Sequence, residues 1–243
     1  MNGKNQVITA VSVLAVSLII CAFIMSSTWR SNNRSSQTIT VTGSAKKEIV
    51  SDLGFLRGSF TAQAASAGEA FNQLKAQRPI LLEYLNSKGF SQDKVNFFPV
   101  IGNPVYEISA NGMQTNHVIG YFYSQRIEIS SKDVYKIKDI SLDISSVINK
   151  GVNFNVEPPE YHYTKIADLK ISIQAEAAKD ALNRGEKIAA ATDRDLGPLR
   201  TARMGILQIT PKFSNMISDY GINDLSSIEK EITAVVTASF EIN

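Results

Sequence analysis

Cysteine and histidine are nearly missing from this chain: among 243 residues there are one cysteine, Cys21, and two histidines, His117 and His162. Cys21 falls inside an apolar run, so the remainder carries no thiol. That excludes disulfides and cysteine chemistry there and fits an oxidising compartment. The histidines sit in different expected strands without a spaced partner, and even His162, between Tyr161 and Tyr163, reads as a strand-end surface residue. No Gly-x-Ser-x-Gly elbow, phosphate loop, dinucleotide fingerprint or His-Glu-x-x-His zinc motif occurs. The acidic pairs Asp193/Asp195 and Asp219/Asp224 offer hard oxygen ligands but lack calcium-loop spacing, so they read as solvated loop carboxylates. No catalytic, cofactor-binding or metal-binding residue is assigned.

Clustered basic charge is also missing. The formal net charge is +2, and setting aside residues 1–29 removes only Lys4, leaving +1. Phosphate recognition needs a basic surface, so no nucleic-acid partner is expected, even though Val118–Ser130 interleaves Tyr121, Phe122 and Tyr123 with Arg126.

A third absence is more informative. From Asn5 to Trp29 no residue is charged, and Val7–Met25 is interrupted only by Thr9, Ser12 and Ser17. At a helical rise this run spans about 29 Å, close to the hydrocarbon thickness of a bilayer. It exceeds a signal peptide's apolar region, and AFIMSSTW is a poor cleavage site, so an uncleaved anchor over 1–29 is expected, with Trp29 at the interface. Ile20 stands where a lipoprotein box before Cys21 needs a small residue, which argues against lipidation. Residues 30–37 read as a polar linker, and its Asn33-Arg34-Ser35 triplet is too short to argue from. Lys4 on one side and Arg30 and Arg34 on the other give a weak orientation signal. The body is placed outside the cytoplasm because a lone amino-terminal segment before a long domain commonly directs export.

What is present from Thr38 onward alternates between strand and helix patterns. Thr38–Ser44 and Phe55–Ala64 have the period of two of half-buried strands, and their closeness suggests a hairpin. Ser66 and Glu69 form a capping box for a helix burying Phe71, Leu74, Leu81 and Leu85, with a kink or break expected at Pro79. Val95–Ile108 is a strand interrupted by Pro99 and Pro104, and Val118–Ser130 is a strong one. Ser130 with Asp133 caps a second helix whose Val134, Ile137, Ser141, Ile144 and Ile148 face inward, ending at Gly151. Val152–Tyr163, broken at Pro158-Pro159, leads to Thr164, a good cap for the longest helix. In that helix Ile166, Leu169, Ile173, Ala177, Ala181, Gly185, Ile188 and Thr192 recur at steps of three and four. Its small residues invite close approach to a sheet. Leu199–Thr210 reads as strand, Ser214–Ser227 as a long polar excursion, and Ile232–Ile242 as a cleanly alternating final strand. The order ββα-ββαβ-αββ is that of an α+β fold, a mainly antiparallel sheet covered by helices and preceded by one transmembrane helix.

Ile39-Thr-Val-Thr-Gly-Ser-Ala45 with Ser51-Asp52 resembles the opening of the SIMPL-domain family of bacterial envelope proteins. Ala177-x-x-x-Ala181, Ile188-Ala189 and Leu196-Gly197-x-Leu199 resemble that family's long helix and its exit, so the resemblance spans roughly Thr38–Asn243. Ala45, Ser51 and Ala191-Thr192-Asp193 depart from the family's usual residues. The resemblance implies a SIMPL-like α+β domain over 38–243, exported or tethered in the envelope. Some members are linked to stress resistance and some assemble into large hollow oligomers, and no established catalytic residues carry over. The expectation is therefore a single-pass inner-membrane protein with its carboxyl-terminal domain in the periplasm. It would act without catalysis as a homo-oligomer or by binding a protein partner that the sequence does not identify. The alternative is a ligand-binding or hydrolytic envelope domain whose site one sequence does not reveal.

Overall fold

A computed structural model of the chain describes residues 3–34 and 37–243, with side chains from Val11 to Trp29 and from Gln37 onward. Linker positions 35 and 36, which include Ser35 of the glycosylation triplet, lie outside the described residues, as do the side chains of Lys4, Arg30 and Arg34. The apolar run forms α1 (Gly3–Arg34), and its Val11–Trp29 stretch, with a mean hydropathy of 2.3, is long and apolar enough to cross a membrane. The stretch lies near the amino terminus, where a signal sequence can be as apolar. The helix continues through residues 30–34 of the expected linker.

The body is α+β, with two mostly antiparallel sheets. One sheet contains β1 (Thr38–Val50), β7 (Leu196–Met204), β8 (Gln208–Pro211), β9 (Ile222–Asn223) and β10 (Glu229–Ile242). Its path runs β1-β10-β8-β9, with β7 also on β10. The other contains β2 (Leu53–Ala64), β3 (Val95–Ile108), β4 (Gln114–Ser131), β5 (Phe154–Val156) and β6 (Glu160–His162). Its order is β3-β4-β2-β5, with β6 also on β2. The helices of the body are α2 (Ala67–Ser87), α3 (Val134–Asp143) and α4 (Ile166–Ala191).

The expected hairpin between the first two strands is corrected: β1 and β2 belong to different sheets. Only Ser51 and Asp52 separate them, without the glycine or asparagine that a tight hairpin turn prefers. Both residues bond elsewhere. The Ser51 amide donates to Ile228 O at 2.9 Å and the Asp52 amide to His162 O at 2.9 Å, so the chain crosses from sheet to sheet.

The residues fall into two compact units, one of 1–46, 169–207 and 233–243, the other of 47–168 and 208–232. In the first, α4 lies on strands β1, β7 and β10. Leu169, Ile173, Ala177, Ala181, Gly185 and Ala189 are its buried residues, so the expected stripe holds as far as Gly185 and then follows Ala189. Ile188 is 45% exposed and Thr192 is exposed, because steps of four from Gly185 lead to Ala189. Val41, Ala181, Ala238 and Phe240 form a buried cluster, with Ile39 and Leu196 packed beside it.

The second unit is built on larger side chains. Leu56 and Phe60 of β2, Ile127 and Ile129 of β4, Leu74, Leu81, Tyr84 and Leu85 of α2, and Ile137 and Ile140 of α3 share one core. Ser66 caps α2, its hydroxyl accepting from the Glu69 amide at 3.3 Å, and the helix runs unbroken through Pro79. Glu69 receives Gln73 Nε2 at 3.4 Å instead of closing the expected box. Phe71 is 42% exposed, and Ala70 takes its place inside. Asp133 is itself the cap of α3, accepting from the Lys136 amide at 3.1 Å. Beyond Asp143 the chain tightens into a 3₁₀ helix over Ile144–Lys150, which ends at Gly151 with φ 85°. A period of three turns Ile144 and Val147 inward and leaves Ile148 out, while Ser141 is half-buried and Ile140 buried.

Candidate functional site

A dense polar arrangement lies in the second unit, where Asp52, β6, the Asp224–Ile228 segment and the start of β10 are joined by hydrogen bonds. Lys230 sits at its centre. It has the parity of the inward-facing residues of β10, Ile232, Ala234, Val236, Ala238 and Phe240, and it is 2% exposed. Its ammonium donates to Tyr161 O at 2.6 Å and to Asp224 O. Burial pushes the amine below its ordinary value, and the Asp224 carboxylate pulls in the other direction.

Asp224 turns its carboxylate onto its own loop. One oxygen accepts from the Ser226 amide and hydroxyl at 2.9 and 2.7 Å, and the other from the Ser227 amide at 3.2 Å. Burial alone would raise this carboxyl, yet these bonds and Lys230 hold it below the usual range. The Asp224 amide donates to Ile209 O at 2.9 Å and the Tyr161 amide to Leu225 O at 2.8 Å. The polar excursion is thus stitched to two strands. On the other side Asp52 accepts from the Thr164 amide at 2.7 Å and hydroxyl at 2.8 Å. Thr164 thus donates both its amide and its hydroxyl to Asp52, just before α4 begins at Ile166.

Beside this knot opens a cleft of about 510 Å³ lined by Tyr135, Lys138 and Leu142 of α3, by Pro159 and Tyr161, and by Ser226–Glu229. Its walls are mostly apolar, and Lys138, Glu229 and the serines Ser141, Ser226 and Ser227 add polar groups to them.

The histidines are not brought together. His117 on β4 is largely exposed, and its Nδ1 lies 3.1 Å from Glu107 Oε2. The β3/β4 register makes that neighbour, pairing Tyr106 with Val118. His162 packs edge-on against Phe55 with centroids 5.3 Å apart, and its Nε2 lies 3.3 Å from Glu160 Oε2. Glu160 also pairs with Arg57 at 2.8 Å, and Arg57 with Glu128 at 2.6 Å. This is a charge ladder across neighbouring strands, worth register more than chemistry. Asp193 adopts φ 50° just beyond α4, and Asp195 exchanges backbone hydrogen bonds with Asn243 at 3.2 and 2.9 Å. Asp219 is exposed, and Asp224 belongs to the knot. Among the described residues no three His, Cys, Asp or Glu side chains gather as a metal site.

Among the described residues apolar surface is also exposed on the β3–β4 ribbon and on the excursion before the knot. β3 and β4 continue as a ribbon past Tyr121, where β4 leaves β2, and the ribbon presents Ile108, Met113 and Ile119, each more than half exposed. The excursion before the knot presents Phe213, Ile217 and Tyr220, exposed by 84%, 85% and 97%.

Two mostly antiparallel sheets with helices on them, behind an amino-terminal helix apolar enough to cross a bilayer, define an α+β body. Residues 39–240 match the family model described as SIMPL, protein of unknown function (DUF541), and the chain belongs to that family. No curated protein matches the chain.

Proposed function

We propose that the protein is a membrane-tethered SIMPL protein of the cell envelope that works without catalysis, by assembling with copies of itself. In this reading α1 crosses the inner membrane and the body lies in the periplasm. The observation that supports it is the β3–β4 ribbon. Two strands that pair only with each other are marginal in water, yet this ribbon carries Ile108, Met113 and Ile119 outward, where a neighbouring molecule would cover them. The test is the detergent-corrected mass of the full-length chain in micelles. A mass of two or more chains that persists on dilution is expected, and a strictly monomeric chain at high concentration overturns the reading.

The cleft beside Lys230 favours a second reading, a domain that binds an amphipathic small molecule against Tyr135, Leu142 and Tyr161. Here the chain would be monomeric, and a fluorescent amphiphile would be displaced by Leu142→Glu. Binding that the substitution leaves unchanged would remove the cleft from consideration.

A further inference from the structure

The geometry points to the outer edge of β1, Thr38–Thr42, as the surface on which two copies of this chain pair, strand against antiparallel strand about a twofold axis through Thr40. This rests on the self-assembly reading above and adds to the β3–β4 ribbon a second surface, on the other sheet.

The parity of β1 follows from its bonds. The Ile242 amide donates to Gln37 O at 3.1 Å, and Thr40 and Thr42 face Ser239 and Thr237 with hydroxyls 3.3 Å apart. Gln37, Ile39, Val41 and Gly43 therefore turn their amides and carbonyls toward β10, and Thr38, Thr40, Thr42 and Ser44 turn theirs away. Ser44 confirms the alternation independently, since its amide donates at 2.8 Å to Asp180 of α4. That carboxylate closes the edge at Ser44. Before it, Thr38, Thr40 and Thr42 form an outward row at the end of the sheet.

Long edges elsewhere are protected. β3 carries Pro99 and Pro104 and three register shifts, and β7 carries Pro198, Arg200 and Arg203. Proline, charge and irregularity are what keep edges from pairing with other chains. Thr38–Ala45 has no proline and no charge.

The occupant is a second copy because the strand is nearly its own mirror. Thr38-Ile39-Thr40-Val41-Thr42, laid antiparallel on itself, sets Thr38 against Thr42, Ile39 against Val41, and Thr40 against Thr40 of the other copy. Threonines meet on one face and branched apolar residues on the other, both favourable cross-strand pairs. About six backbone hydrogen bonds would form, two at each outward pair. The interface is isologous and therefore closes as a dimer. α1 ends at Arg34, so tethering in one membrane would hold the edges of neighbouring copies near one another.

The test uses full-length protein in detergent with Cys21→Ser as background. Thr40→Cys should form a disulfide dimer on mild oxidation, whereas Thr38→Cys alone should not. The two copies of residue 38 would lie about 14 Å apart along the strands, beyond disulfide reach. Thr38→Cys combined with Thr42→Cys should restore the cross-link. Thr40→Lys should halve the mass, and Thr201→Lys on β7 should leave it unchanged. If the wild-type chain is an oligomer but Thr40→Cys does not cross-link and Thr40→Lys keeps its mass, the edge is wrong and self-assembly stands on another surface. If the wild-type chain is monomeric, both fall.

Discussion

Where α4 lies on its sheet, helix and strand meet almost backbone to backbone, whereas α2 and α3 reach theirs through large side chains. A Cβ on Gly43 would collide with Ala177 O and Ala181 N of α4, so those two residues fix the separation. The core beneath α2 and α3 is filled by Phe60, Leu56, Leu74, Leu81 and Ile137. A close contact of small residues gives little area for burial but leaves no slack, and a core of large ones gives area and fails by cavity. The two units should therefore tolerate opposite kinds of substitution.

The largest effect is expected from emptying the second core. Phe60 is fully buried, and Phe60→Ala should cost about 3–5 kcal/mol in denaturant unfolding. A loss under about 1 kcal/mol would mean that neighbours collapse into the space and that the contrast is overdrawn. Next comes the addition of a single methyl to the tight contact. Gly43→Ala should cost about 3 kcal/mol, the upper end for overpacking, because the obstacle is backbone and not a side chain that can swing away. A neutral Gly43→Ala would show that α4 rides freely on the strand.

Two substitutions sharpen the comparison at lower cost. Lys230→Met keeps the length of the buried side chain but leaves Tyr161 O and Asp224 O without their donor, and should lose about 2 kcal/mol. A gain would show that desolvating the ammonium outweighs those bonds. Gly185 also faces its sheet, but a Cβ there would meet Leu196 Cδ2 at 3.2 Å and Phe240 Cδ2 at 3.5 Å, ends of side chains that can move. Gly185→Ala should fall within about 0.5 kcal/mol of wild type, because a gain in helix propensity of about 1 kcal/mol offsets the shift of Leu196. Gly185→Leu has no such compensation and should cost about 1–3 kcal/mol. Equal effects at Gly43 and Gly185 would mean that both contacts are of one kind.

Periodicity made the elements legible where one face is buried along their whole length. The stripe on α4 through Gly185 and the alternation of β10 are of that type, since each repeats over several turns or strand positions. What failed was set by partners far along the chain. The separation of β1 from β2 depends on β10 and β4, and the tightening after Asp143 moved the buried face from Ile148 to Val147. The site was less legible still. His117 gained Glu107 only through strand register, and Asp52 reaches Thr164 across a gap that local pattern does not bridge. Lys230 did leave a signal: extending the inward parity of Ile232, Ala234 and Val236 back by one step puts a lysine inside.

The smallest effect is a pH dependence that separates the knot from the packing around it. Burial would raise the Asp52 carboxyl, but bonds from the Thr164 hydroxyl and amide, with the Lys165 charge, leave it below the usual range. A carboxyl depressed in the folded state adds stability that is present above the unfolded value, about pH 4, and is lost as pH falls through the folded value. Stability measured in urea should thus decline more steeply below about pH 4 in wild type than in Asp52→Asn, and the two curves should converge in acid. Asp224, Glu160 and Asp143 are also held low and give both curves a common slope, so only the difference between them reports Asp52. The packing variants Phe60→Ala and Gly43→Ala change no charge and should shift the whole curve without altering its acid limb. If Asp52→Asn shifts the curve in the same parallel way, Thr164 is held by the shape of the turn and not by the ionised carboxylate.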